Sequence, residues 1–274
     1  MRHDLFDLKD KVSIVTGGGQ GIGKAIAIGL AMYGSDVVIA DIVMENAIAT
    51  SKEIRNLGRK SIALECDISK SKDVKNMVKS VLNDFNHVDI LVNCAGISKK
   101  CLVIDMEDKD WNQVISINLR GVFLCCREVV KLMKKQKKGR IINISSIMGK
   151  AGRIGSSHYC ASKAGINALT KVLSIEVAKY NITVNAIAPC WIDSPLLKPL
   201  VEKKQLNLDE LIQRLPIGRL GKPEELVSSV IFLASEGSSL VTGHILYVDG
   251  GFNSNYRVSY LSGNMRIKPE NIKI

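Results

Sequence analysis

Seven short apolar stretches, separated by longer amphipathic ones, constrain what this chain can fold into more than any other feature. They are "KVSIVTG" (11–17), "DVVIAD" (36–41), "KSIALECD" (60–67), "VDILVNCAG" (88–96), "RIINISS" (140–146), "ITVNAIAP" (182–189) and "GHILYVDGG" (243–251). Most are nearly continuous in apolar residues and do not alternate with polar ones. Strands read this way when helices cover both faces of a parallel sheet. Amphipathic patterns near 21–33, 45–57, 71–85, 108–135, 157–180 and 224–235 supply those helices. The last opens "GKPEEL", with Pro223 suited to the first helical position and two acids in the first turn. The expected fold is therefore α/β, a doubly wound, mostly parallel sheet of about seven strands with right-handed crossovers.

No repeat or linker divides the pattern, so residues 1–252 read as a single domain. Two segments escape the alternation. Residues 190–222 leave the end of the sixth strand and read as a lid or substrate loop, because ligands in such sheets bind beyond the carboxyl ends of the strands. Residues 253–274 form a polar C-terminal extension with scattered apolar residues and no period.

The net charge of +11 raises the question of nucleic acid. The basic residues are dispersed except for "KLMKKQKKGR" at 131–140, which reads as a solvated helix end with cations near the negative end of the dipole. It lacks interleaved aromatics and any nucleic-acid-binding signature, so no nucleic-acid partner is expected. The seven cysteines are odd in number and include no C-x-x-C pair. Neither a disulfide framework nor a metal site is expected; the thiols read as buried in a reducing cytoplasm. The start "MRHDLFDLKDK" is too charged to read as a signal peptide, and no stretch approaches 18 apolar residues, so no membrane partner is expected.

The first strand ends in "TGGGQGIG", with five glycines in residues 17–23. The dinucleotide fingerprint G-x-G-x-x-G fails when tested strictly, since Ile22 or Lys24 falls at the third glycine position. The pattern that fits is G-x-x-x-G-x-G, through Gly17, Gly21 and Gly23. Its physics is the same: a tight turn lets backbone approach a pyrophosphate at a helix N-terminus. Asp41 ends the second strand, 18 residues after Gly23. A carboxylate there accepts hydrogen bonds from ribose hydroxyls and repels a 2′-phosphate. Position 20 is Gln and position 42 is Ile, so no cation answers such a phosphate, and the cofactor expected is NAD.

In "SSHYCASKAG", Tyr159 and Lys163 stand one helical turn apart and share a face. Spacing alone leaves two readings open, a packed tyrosine beside a solvated lysine or a chemical pair. His158 projects about 100° away from its neighbour and reads as structural.

Taken in order, these motifs resemble the short-chain dehydrogenase/reductase family over roughly residues 8–252. The family's N-A-G motif stands as "NCAG", Asn93 to Gly96; "SINLRG", "INISS", "YCASK" and "LYVDGG" follow. The resemblance implies a Rossmann fold and a catalytic set of Asn118, Ser146, Tyr159 and Lys163. Ser146, not Ser145, is selected because the family's serine lies 13 residues before the tyrosine; adjacent strand residues face opposite ways, so only one can serve. The resemblance also implies cofactor contacts from Gly17, Gly21, Ile22, Gly23, Asp41, Asp67 (against adenine), Asn93, Ala95, Gly96, Tyr159, Lys163, Pro189, Ile192 and Ser194. One departure stands in "PCWIDS", where Cys190 replaces a family glycine and Ser194 a threonine. Cysteine lacks the backbone freedom of glycine.

The chemistry asks for these residue types. Reducing a ketone needs a hydride on carbon, which a nicotinamide carries, and a proton on oxygen. Free tyrosine, with a pKa of about 10, is too weak a base near neutrality. A cation one turn away is expected to lower it. By resemblance Lys163 also bonds the nicotinamide ribose, Ser146 holds the substrate oxygen and Asn118 fixes a water. The expected activity is NAD-dependent interconversion of a secondary alcohol and a ketone. "LFDLKDK" and "GHILYVDGG" look like the polyol, sugar-acid and gluconate-type members. "PIGRLGKPEEL" is shared with 3-oxoacyl-(acyl carrier protein) reductases, the alternative activity. A non-catalytic dinucleotide-binding protein is the alternative of another class; such proteins usually lose the tyrosine or the lysine. Lys99, Lys100, Lys150 and Arg153 fall in loops after strands four and five, either to recognise an anionic substrate or as solvated charges. Family members are commonly homotetramers joined through the helices at 108–135 and 157–180, with the extension across an interface or a neighbouring site.

Overall fold

Each apolar stretch forms a strand of one sheet in the computed structural model, which describes residues 5–204 and 206–254. The strands are β1 (Val12–Thr16), β2 (Asp36–Asp41), β3 (Ser61–Glu65), β4 (Ile90–Asn93), β5 (Gly139–Ile144), β6 (Ile182–Pro189) and β7 (Ile245–Val248). Their order is β3-β2-β1-β4-β5-β6-β7, and every pairing is parallel. Successive side chains point to opposite faces, so the strands from β1 to β6 feed two cores. Val12, Ile14, Val38, Leu91, Ile141 and Val184 pack on one side with α3 (Ser71–Phe85), α5 (Val122–Gln136) and α6 (Ser157–Val177). Val15, Val37, Ile39, Val92, Ile142 and Ile187 pack on the other with α1 (Gly21–Met32), α2 (Met44–Asn56) and α9 (Val227–Ala234). Burial on both faces is why the strands read as continuous apolar stretches.

The strand order reverses between β1 and β4. Thr16 lies opposite Ala40 of β2 and Asn93 of β4, which levels the carboxyl ends of the three strands. The loops that follow open a crevice at this switch point, where doubly wound sheets bind ligands. Thr16 Oγ1 ties the crevice floor together by accepting from the Cys94 and Ala95 amides at 3.1 and 3.3 Å.

Three elements differ from the sequence expectation. The helix expected over 108–135 is α4 (Asp108–Ile115), a π-helical turn (Ser116–Gly121) and α5. Pro223 does open the helical segment near 224–235, but its first turn is 3₁₀ (Pro223–Leu226) before α9 begins. The basic stretch at 131–140 is only partly solvated. Lys134 and Lys135 end α5, whereas Arg140 enters β5, is 3% exposed and pairs with Glu236 at 3.3 Å. Residues 190–222 carry two short helices, α7 (Lys198–Glu202) and α8 (Leu208–Arg214), and Leu200 of α7 lines the crevice. From residue 255 onward the expected extension lies outside the described residues. Among the described residues no helix is long and apolar enough to cross a membrane, and no group of His, Cys, Asp or Glu is placed to hold a metal.

Candidate active site

The crevice is a cavity of about 530 Å³ running from the glycine turn to Tyr159, within the range of small-molecule sites. At its first end, Gly17 and Gly21 have φ of 65° and 53°, the left-handed region that glycine tolerates. A Cβ on Gly23 would lie 2.0 Å from the Gly17 carbonyl oxygen, so only glycine lets α1 start this close to the turn. No side chain caps α1, and its first amides, with the positive end of the helix dipole, face the cavity beside Ile22. This cradle fits a pyrophosphate.

Asp41 is 8% exposed and lines the same end. Its Oδ2 accepts from the Gly19 amide at 2.9 Å and its Oδ1 from the Val43 amide at 3.0 Å. The carboxylate therefore braces the turn and keeps lone pairs for a ligand hydroxyl. Gln20, Ile42 and Asp67 complete this end, and among the described residues no cation lines it. Asp67 accepts from the Ser69 amide and hydroxyl at 3.0 and 2.7 Å; although burial raises its pKa, these bonds and Lys70 hold it below the ordinary carboxylate range.

At the other end Ser146 Oγ accepts from the Met148 amide at 3.1 Å and stands near enough to the Tyr159 hydroxyl to pull its pKa down. Ser145 also lines the cavity, but its hydroxyl is committed, donating to Asn167 Oδ1 at 2.7 Å. Lys163 is 5% exposed, and its Nζ donates to the Ile144 carbonyl at 2.8 Å. The ammonium is 5.7 Å from the Tyr159 ring centre. The expectation that a neighbouring cation sets the phenol low is corrected here. Burial is the larger influence and holds the Tyr159 pKa above its ordinary value, against the lowering pull of Ser146 and Arg153. The Lys163 ammonium faces a carbonyl rather than the phenol, and burial pulls its own pKa from 10.5 to about 8.

A buried ammonium without a carboxylate has a consequence for stability. Between about pH 8 and 10.5 the unfolded chain holds a proton on Lys163 that the folded chain has lost, so stability rises with pH across this window. At pH 7 the charge costs the fold about 3 kcal/mol as an upper figure. Lys163→Met is expected to raise Tm at pH 7 by several degrees while lowering turnover, and to flatten the rise toward pH 10. A Tm equal to or below wild type at pH 7 would contradict this.

Gly17, Gly21, Ile22, Gly23, Asp41, Asp67, Ala95, Gly96, Ser146, Tyr159, Lys163, Pro189, Ile192 and Ser194 all line the cavity. Two expected residues do not. Asn93 is 1% exposed and points beneath the site, its amide donating to Asn143 Oδ1 at 2.8 Å and to Cys126 Sγ at 3.3 Å. Asn118 is fully buried in the π-helical turn, bonded both ways to Ile97: Nδ2 to the carbonyl at 2.9 Å, Oδ1 from the amide at 2.8 Å. It holds the loop after β4 that carries Gly96 past Lys163. Cys190 does not need a glycine's freedom, since its φ is not positive. His158 is fully buried, neither ring nitrogen has a protein partner among the described residues, and burial lowers its pKa. It does not line the cavity.

Residues not anticipated also line the site, among them Cys94, Gln113, Trp191 and Leu197. Burial pushes the Cys94 thiol up to about 12, so it is neutral and fills space. The insertion after β6 was the available signal for Trp191 and Leu197.

A parallel doubly wound sheet, a glycine cradle and a Ser–Tyr–Lys cluster at opposite ends of one crevice define a Rossmann-fold oxidoreductase. The chain belongs to the short-chain dehydrogenase/reductase family. A family model described as enoyl-(acyl carrier protein) reductase matches residues 17–253. The chain is 40% identical over 244 residues to a 3-oxoacyl-(acyl-carrier-protein) reductase of Thermotoga maritima, covering 89% of this chain and 98% of that protein. It is 36% identical over 249 residues to the 5-keto-D-gluconate 5-reductase of Escherichia coli K12, covering 91% and 98%. Among solved structures it is similar to a gluconate 5-dehydrogenase from Burkholderia cenocepacia in complex with NADP and tartrate, with a TM-score of 0.88, 34% identity and coverage of 92% and 98%.

Proposed function

We propose that this chain is an NAD(H)-dependent enzyme that interconverts a secondary alcohol and a ketone on a polyol, sugar or sugar acid. The observation that carries this reading is the Ser146–Tyr159–Lys163 cluster at the far end of a crevice whose near end is shaped for a dinucleotide. When bound, the nicotinamide exchanges a hydride with the substrate carbon. The chain's own residues do the rest. Ser146 holds the substrate oxygen, and Tyr159 gives that oxygen a proton in reduction or takes one in oxidation. Lys163, its ammonium anchored on the Ile144 carbonyl, would hold the nicotinamide ribose. Asn118, bonded to Ile97 through both side-chain polar atoms, acts as a positioning residue that fixes the loop after β4. The segment 190–222 covers the substrate within the single domain 1–252.

NAD is supported by Asp41 and by the lack, among the described residues, of a lining cation at that end. The B. cenocepacia relative, solved with NADP, makes the choice worth testing. A 3-oxoacyl-(acyl-carrier-protein) reductase is the second reading, favoured by the T. maritima likeness. A panel of polyols, sugar acids, secondary alcohols and 3-oxoacyl thioesters, run with NAD(H) and NADP(H) and read at the nicotinamide absorbance, separates the two. Stronger turnover with NADP(H) would overturn the Asp41 reading; turnover of thioesters alone would overturn the sugar-acid one.

The homotetramer proposal rests on α6, which exposes Ala161, Ala164, Ala168, Val172 and Ile175 along one stripe. Phe123 and Trp111, on α5 and α4, are also exposed. Light scattering at the monomer mass of 30.0 kDa would reject the assembly.

A further inference from the structure

The sequence leaves four cations as candidates to meet an anionic substrate, and the structure separates them. Lys99 is committed to Asp110, with Nζ 2.6 Å from Oδ1. Lys150 stands 5.7 Å from the Tyr247 ring centre, and neither it nor Lys100 lines the cavity. Arg153 does.

Arg153 is held in an unusual setting for a guanidinium. Its Nε donates to Ser156 Oγ at 2.8 Å and its Nη2 to Ser98 Oγ at 3.1 Å. These two hydroxyls tie it to the start of α6 and to the loop after β4. The group lies 5.5 Å from the Tyr159 ring centre and 5.2 Å from that of Trp191, between two aromatic faces. No carboxylate pairs with it among the described residues. A guanidinium stays charged at any working pH and has five donors, of which the hydroxyls take two. A partly buried cation ordinarily has a counter-ion. Among the described residues neither Nη1 donor has a partner, and the rings and hydroxyls fix the plane of the fork beside the catalytic phenol.

We propose that Arg153 is the substrate-carboxylate site, so that the substrate is a short hydroxy acid or oxo acid. Its carboxylate meets the clamped guanidinium in a bidentate pair while its reacting carbon lies against Tyr159. This rests on the oxidoreductase reading above and deepens it. A thioester on an acyl carrier brings no carboxylate to this place, so the unpaired cation favours the sugar-acid reading over the acyl one. Trp191 stands where its ring can hold the guanidinium from the side of the 190–222 segment, which makes that segment part of acid recognition.

The test uses the full chain with saturating NAD. Trp191 fluorescence is titrated with D-gluconate and with sorbitol, which has the same carbon chain and no carboxylate. A Trp111→Phe background leaves one tryptophan as reporter, since the chain has two. D-gluconate is expected to bind about tenfold or more tightly than sorbitol. Arg153→Gln is expected to weaken D-gluconate by about tenfold or more and leave sorbitol unchanged, with Arg153→Lys between. In turnover of 5-keto-D-gluconate, KM rises and kcat stays within about threefold. Equal affinities for gluconate and sorbitol in the unsubstituted protein would overturn the inference, as would equal weakening of both by Arg153→Gln. So would an unchanged KM for 5-keto-D-gluconate in Arg153→Gln, which would leave the pull of Arg153 on Tyr159, read in the kcat pH profile, as its whole role. If the protein oxidises neutral alcohols but does not favour gluconate, only this inference falls. If no alcohol or ketone is turned over, the oxidoreductase reading falls, and the fluorescence titration still decides whether Arg153 binds a carboxylate.

Discussion

Replacing Tyr159 with phenylalanine is expected to lower kcat by about 10²–10⁴-fold while the fold and cofactor affinity stay as they were. The substitution removes one oxygen. It keeps the ring that packs against Arg153 at 5.5 Å and Lys163 at 5.7 Å. Ser146 keeps the Met148 amide at 3.1 Å, so no buried polar group is stranded. What disappears is the group placed to move a proton at the substrate oxygen. Because burial holds this phenol above its ordinary pKa, it is protonated near neutrality and ready for reduction. Alcohol oxidation needs its phenolate, so the rate of oxidation should rise with pH where that of reduction does not. Steady-state kinetics in both directions, with melting curves and an NADH titration, check each part. A variant that keeps kcat within tenfold of wild type would remove Tyr159 from the chemistry.

The sequence makes the sheet plain because burial on both faces imposes a local pattern, continuous β-branched stretches, that needs no tertiary knowledge. The glycine cradle and the Tyr159–Lys163 turn were also legible, since both are short-range geometries. What stayed hidden depends on neighbours distant in the chain. Arg140 looks like one more cation in a basic stretch, yet its place in β5 buries it. The Ser116–Gly121 segment has ordinary helical composition, and nothing in it announces a π-helical turn. Asn93 stands in a recognisable motif, but its side chain faces Asn143 across the sheet instead of the crevice. The shift of Tyr159 was misjudged because spacing locates Lys163 on the helix, whereas the Ile144 carbonyl on β5 decides where its ammonium points. Arg153 could be named as a cation near the site. That Lys99 is paired and Arg153 is not follows only from the fold.

Gly23→Ala is expected to cost cofactor affinity about 100-fold or more, roughly 2.7 kcal/mol, through one methyl group. The new Cβ would sit 2.0 Å from the Gly17 oxygen and 2.7 Å from the Gly17 carbonyl carbon. Both are backbone atoms with no rotamer to swing away, so one of the two segments must move by more than an ångström. The Gly17 side is pinned. Its amide donates to the Ala40 carbonyl at 2.7 Å, its φ is 65°, and its own Cα faces Ala95 closely enough that a Cβ there would lie 2.7 Å from the Ala95 Cα. The displacement therefore falls on the start of α1, whose uncapped amides are the ones aimed at the pyrophosphate. Stability should fall as well, by about 1–3 kcal/mol, because overpacking of this kind strains the backbone. Gly152→Ala, where nothing lies within 4 Å of the added Cβ, serves as the control and should leave affinity unchanged. Calorimetric titration with NADH and thermal melts of the two variants provide the comparison. Wild-type affinity in Gly23→Ala would mean that the pyrophosphate is not bound at this turn, and the dinucleotide would have to be placed elsewhere in the crevice.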